Sequence, residues 1–148
     1  MENYQSKFSL KINPTSYPKI KITTSNMGYE TIRNYYDEDI EIFESFYLLL
    51  LNPNNETIGF VKLSQGGITG TVVDIRLLMK YVLDSLAIGV IIAHNHPSGN
   101  LKPSEADKKI TSKIKKALNL IDVTLLDHLI ITPYNYFSFA DEGLLTFD

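Results

Sequence analysis

The run Phe46-Tyr47-Leu48-Leu49-Leu50-Leu51 constrains the fold of this chain more than any other segment. Six consecutive apolar residues cannot alternate between a wet and a dry face, so the run reads as a strand buried on both sides. Asn52-Pro53-Asn54-Asn55-Glu56 has turn chemistry, and Thr57 to Leu63 returns as the second strand of a hairpin. Gly66-Gly67 and Gly70 then break the chain. Asp74 can cap a helix whose apolar positions Ile75, Leu78, Met79, Val82 and Leu86 recur at helical spacing. Ile88 to Ala93 is a short buried strand, and Pro103-Ser104 opens a helix with Ile110, Ile114, Ala117, Leu118 and Ile121 inside. Val123 to Ile131 is a third core strand, followed by a last strand and turn over Phe137 to Leu145. Upstream, Ser25 or Asn26 can cap a helix to about Tyr36, and residues 1–23 read as an extended arm or edge strand around Pro14 and Pro18. The order α, β-hairpin, α, β, α, β predicts an α/β sandwich: one mixed sheet flanked by helices, with an N-terminal extension over 1–23 and the domain proper over 24–148.

Composition narrows the setting. At 148 residues the chain is long enough for one domain with a sizeable core. It has no cysteine, which excludes a disulfide framework and any thiolate metal site and fits a reducing, cytoplasmic compartment. A net charge of -3 gives no overall bias toward nucleic acid or membrane. The polar start Met1 to Ser6 shows no signal-peptide core, and no apolar run is long enough to span a bilayer.

The chemistry gathers in one place. Ala93-His94-Asn95-His96-Pro97-Ser98-Gly99-Asn100 holds two of the three histidines, and Ser104 and Asp107 follow in the pattern H-x-H-x7-S-x2-D. His94 and His96, two apart in an extended segment, point the same way. Ser104 and Asp107 share a helix face. Two imidazoles and a carboxylate form a three-ligand set that leaves one position of a zinc ion open for water, the layout of a catalytic site. Ser104-Glu105-Ala106-Asp107 is equally a capping box that needs no metal. His128, after Asp127 in an apolar strand, reads as a satisfied, half-buried histidine. Asn95 can turn its amide into the backbone or toward substrate. Asp127 can accept from a ligand imidazole or pair locally.

His94, His96, Ser104 and Asp107 match the JAMM motif of the JAB1/MPN/Mov34 metalloenzymes at every fixed spacing. The longer strings His94 to Asn100, Pro103-Ser104-x-x-Asp107-x-x-x-Thr111 and Leu125-Leu126-Asp127-His128-Leu129-Ile130-Ile131 resemble the RadC branch. The resemblance covers about residues 24–148. It implies a JAB/MPN-like, cytidine-deaminase-like sandwich and zinc-dependent hydrolysis of an amide or isopeptide, with one zinc per chain on His94, His96 and Asp107. It also implies a catalytic glutamate just before the first core strand. Glu44-Ser45-Phe46, leading into the apolar run and ending at Asn52, fits that pattern, with Glu41 three residues away as the competing register. On this reading Glu44 is the general base and Ser104 donates to the oxyanion. RadC-type proteins usually carry a helix-hairpin-helix region, and residues 1–23 leave no room for one, so the expectation is a short, stand-alone form.

Two rival classes follow from the same chain. RadC-like proteins are traditionally linked to DNA repair, and Lys108, Lys109, Lys113, Lys115 and Lys116 crowd one helix. Lys109, Lys113 and Lys116 share a face opposite the isoleucines, the pattern of a solvated amphipathic helix. Nucleic acid is therefore a conceivable partner without support in the sequence. A metal-free protein-interaction module is the other rival, and the complete ligand set counts against it. The expected partner is a peptide, isopeptide or small amide substrate, and neither its identity nor the oligomeric state is legible.

Overall fold

A computed structural model describes residues 4–7, 9, 11–66 and 72–146. The apolar run is the strand β1 (Ser45–Leu51), buried at all seven positions. Asn52 turns the chain by accepting the Asn54 and Glu56 N–H groups on its side chain, each at 2.9 Å. The hairpin closes with β2 (Thr57–Gln65), antiparallel to β1. On its other side β1 pairs antiparallel with β3 (Gly89–Asn95), also buried throughout. β3 runs parallel to β4 (Thr124–Ile131), and β4 pairs with the short β5 (Tyr136–Ser138). The five-stranded order is β2-β1-β3-β4-β5. The parallel pair needs a crossover, and the helix α3 (Glu105–Asn119) supplies it.

Both faces of the sheet are covered, which is why β1 carries no polar alternation. Phe46, Leu48, Leu50, Val90, Ile92 and Leu125 meet α2 (Ile75–Ser85) and α3 through Leu78, Val82, Ile114 and Leu118. On the other face Tyr47, Leu49, Leu51, Ile91, Leu129 and Ile131 meet α1 (Ser25–Arg33) through Ile32. The expected mixed sheet flanked by helices is the observed architecture. Among the described residues no helix is long and apolar enough to cross a membrane.

Local differences have local causes. Thr24, not Ser25 or Asn26, caps α1, accepting from Met27 N, because the Ser25 hydroxyl donates to Asp141. The helix stops at Arg33 rather than about Tyr36. Tyr35 turns to stack on Phe60, and Tyr36 enters the core to donate to the Ser45 carbonyl at 2.7 Å. A 3₁₀ turn over Glu38–Glu41 had no counterpart in the predicted elements. Asp74 caps α2 as expected, while β3 runs two residues past Ala93 and so includes His94. The arm's described residues form one bridge, Lys21 to Glu56, rather than an edge strand. The expected break at Gly67 and Gly70 lies outside the described residues.

Candidate metal centre

Alternation along β3 separates three neighbouring side chains. Phe46 pairs with His94, and their rings stack within 4° of parallel on the α2/α3 face. His96 follows the strand end, its N–H donating to the Ile131 carbonyl at 3.1 Å. The chain then turns through Gly99, whose φ of 84° belongs to the left-handed region that glycine enters freely. His96 Nδ1 donates to the Asn100 carbonyl at 2.6 Å, which leaves the lone pair on its Nε2. That nitrogen lies 2.9 Å from His94 Nε2.

Asp107 comes to the same point from the first turn of α3. Ser104 Oγ accepts from Asp107 N at 3.0 Å, and Asp107 Oδ2 accepts from Ser104 N at 2.8 Å, so the capping box is complete. It does not compete with the ligand reading. Asp107 Oδ1 lies 3.2 Å from His94 Nε2, and Oδ2 lies 3.3 Å from His96 Nε2. The cap orients the carboxylate toward both imidazoles. Glu44 completes the group, with Oε1 3.8 Å from His94 Nε2. One ligating atom from each of Glu44, His94, His96 and Asp107 falls within 4.8 Å of the others. Glu41 is exposed and lies outside the cluster.

This donor set fits a divalent metal of the zinc class. Ligand atoms about 2.0–2.1 Å from a tetrahedral ion stand roughly 3.3 Å apart, close to the spacings here. The electrostatics agree. Burial opposes charge on Asp107, but the His94 and His96 imidazoles and the Ser104 N–H facing its oxygens prevail and hold its carboxyl well below the usual carboxylate range. Burial likewise opposes charge on His96, but Asp107, the Asn100 carbonyl and Glu44 together raise its pKa. Positive charge is favoured at the point where the four side chains converge.

The Asn95 amide turns into the backbone. Fully buried on the opposite face of β3, its Oδ1 accepts from Ser45 N at 2.7 Å, and its Nδ2 donates to the carbonyls of Ile40 and Phe43 at 2.6 and 2.8 Å. These bonds bracket Glu44. Asp127 pairs locally, accepting from the Ser138 hydroxyl and from the N–H groups of His128 and Ala140. His128 differs from the expectation. It is wholly buried rather than half-buried, and its Nε2 lies 2.7 Å from His94 Nδ1. Nothing local in the sequence signals that contact, because the β3–β4 register makes it. Lys109, Lys113 and Lys116 are exposed, as a solvated helix face requires.

The profile of the RadC-like JAB domain matches residues 22–144, most of the chain. The chain belongs to this family. A UPF0758 protein of Flavobacterium johnsoniae is 55% identical to this RadC-like chain over 126 residues, which are 85% of this chain and 55% of that protein. A UPF0758 protein of Porphyromonas gingivalis is 45% identical over 125 residues, 84% of this chain and 54% of that one. A third, from Shewanella denitrificans, is 46% identical over 103 residues, 70% and 46% of the two chains. The RadC-like chain thus spans about half the length of the curated relatives it matches.

Proposed function

We propose that this domain is a zinc-dependent hydrolase of amide bonds, with one zinc per chain held by His94, His96 and Asp107. The convergence of these three side chains with Glu44 within 4.8 Å carries the reading. When bound, zinc supplies Lewis acidity and lowers the pKa of a coordinated water toward roughly 7. The remaining work falls to the chain. Glu44, with Oε1 3.8 Å from His94 Nε2, is the proton carrier: it takes a proton from the attacking water and returns it to the leaving amine. Water and amide thereby become carboxylic acid and amine. Ser104 Oγ already accepts from Asp107 N, so its own hydrogen is available to donate to the oxyanion that forms at the carbonyl. Asn95 keeps the Glu44 segment in register with the histidines. The substrate class is a peptide, an isopeptide-linked conjugate or a small amide.

The test is a cleavage screen over those three classes with the zinc-loaded protein, comparing wild type with Glu44→Gln and Glu41→Gln. Glu44→Gln should keep its zinc and lose about 10²–10⁴-fold in rate. An active Glu44→Gln beside an inactive Glu41→Gln would move the base by three residues. No cleavage across the panel would favour a non-catalytic binding module.

A further inference from the structure

We infer that His128 and Thr111 are positioning residues whose hydrogen bonds fix the proton of His94 on Nδ1, so that its Nε2 lone pair faces the metal centre. Three contacts form a chain from Asp107 to His94. Thr111 Oγ1 lies 2.6 Å from the Asp107 carbonyl oxygen. Two oxygens that close hold a hydrogen between them, and a carbonyl only accepts, so the Thr111 hydroxyl donates there. A hydroxyl has one hydrogen. The 2.5 Å contact between Thr111 Oγ1 and His128 Nδ1 must therefore take its hydrogen from the imidazole. His128 is wholly buried, and its ring nitrogens face Thr111 Oγ1 and His94 Nδ1 rather than a carboxylate, so a second, charging proton has no compensating partner. Neutral, with its proton on Nδ1, it presents a lone pair at Nε2. His94 Nδ1, 2.7 Å away, supplies the hydrogen for that contact. Each bond dictates the direction of the next, and the outcome is a lone pair on His94 Nε2.

The chain begins and ends on two residues of the same cluster: the carbonyl of Asp107 sets the tautomer of His94. Phe139 holds the relay in place, stacking on His128 at 4.6 Å between ring centres and donating its N–H to the His128 carbonyl. The consequence for metal affinity rests on the zinc reading above, whereas the tautomer does not.

The experiment labels the three histidines with ¹⁵N and reads long-range imidazole correlations in the metal-free protein at a pH where the rings are neutral. It also measures zinc affinity by chelator competition. Wild type should show His94 and His128 protonated on Nδ1. Thr111→Val, nearly isosteric, strands the His128 Nδ1–H and frees that ring to take the other tautomer. His94 should then carry its proton on Nε2, and zinc affinity should fall about 10–100-fold. Thr111→Ser should restore both. If Thr111→Val fails to fold, His128→Gln and His128→Leu make the same comparison, because only the amide oxygen can accept from His94 Nδ1. Gln should hold zinc within a few-fold of wild type and Leu should not. An Nε2–H tautomer of His94 in the wild type, or wild-type tautomer and affinity in folded Thr111→Val, overturns the proposal. A wild-type protein that fails to bind zinc yet shows the Nδ1–H tautomer overturns the zinc reading and supports the relay.

Discussion

Asp107 has two tasks that one substitution can separate. Its Oδ2 accepts the Ser104 N–H, while both oxygens face the histidine nitrogens. An Asn side chain keeps an oxygen for the cap but lacks the charge that favours a cation. Asp107→Asn should therefore lose zinc, measured by mass spectrometry of the purified protein, and cost about 1 kcal/mol or less of stability. Full zinc retention would reject Asp107 as a ligand. Ser104→Ala tests the converse. Losing the cap oxygen should cost about 1 kcal/mol, and losing the oxyanion donor should slow hydrolysis by roughly 10²–10³-fold with zinc content unchanged.

Elements explain why some of the site was legible in the sequence and some was not. His94, His96, Ser104 and Asp107 lie on one strand end and one helix start, so fixed spacing reports their geometry. Glu44 lies 50 residues before His94 and precedes a strand, so only the family pattern marked it. Asn95 and His128 left no local trace, because their partners are set by strand register: Asn95 reaches 55 residues back to Ile40, and His128 lies 34 residues from His94. The sandwich itself was legible because continuous apolar runs and capped amphipathic helices are local signals. The end of α1 was not, since Tyr35 and Tyr36 leave the helix for tertiary partners. Asn95→Ala strips partners from Ser45 N and from the Ile40 and Phe43 carbonyls, so it should destabilise the fold by ~3 kcal/mol in urea titrations. If it folds, it should lose activity while keeping its zinc, because the ligands stay in place and the Glu44 segment loosens.

For the whole molecule, two tyrosines of the α1 side set a limit on alkaline stability. Burial, and then the charge of Tyr17, pushes the Tyr35 hydroxyl up to about 12, while burial and the carboxylates of Asp37 and Asp39 do the same for Tyr47. In the unfolded chain these phenols ionise near pH 10. Between about pH 10 and about pH 12 the unfolded chain has given up protons that the folded chain keeps, so stability falls as pH rises through that window and is fully present below it. Urea midpoints across the window should show the decline, and Tyr35→Phe should flatten it. A decline of equal steepness in Tyr35→Phe would clear Tyr35 of the role. Zinc held as proposed would act on the same balance in the opposite sense. A ligand bound only by the folded state at 100 times its Kd adds about 2.7 kcal/mol. The melting temperature should therefore rise with zinc in wild type and not in the His94→Ala, His96→Ala double variant.

The triplet His94-Asn95-His96 also has a meaning for protein engineering. Its two outer side chains face the cluster, and its middle one, on the opposite face, clasps the segment from Ile40 to Ser45 that carries the glutamate. If the proposed function holds, copying the histidines and the helix-borne aspartate into another scaffold would transplant a cation receptor and leave its reactivity behind. On the proposed reading the smallest portable unit is the strand, the first turn of α3 and the loop the strand grips, and a designer who grafts the strand and helix start without the loop should obtain a metal-binding protein with no turnover.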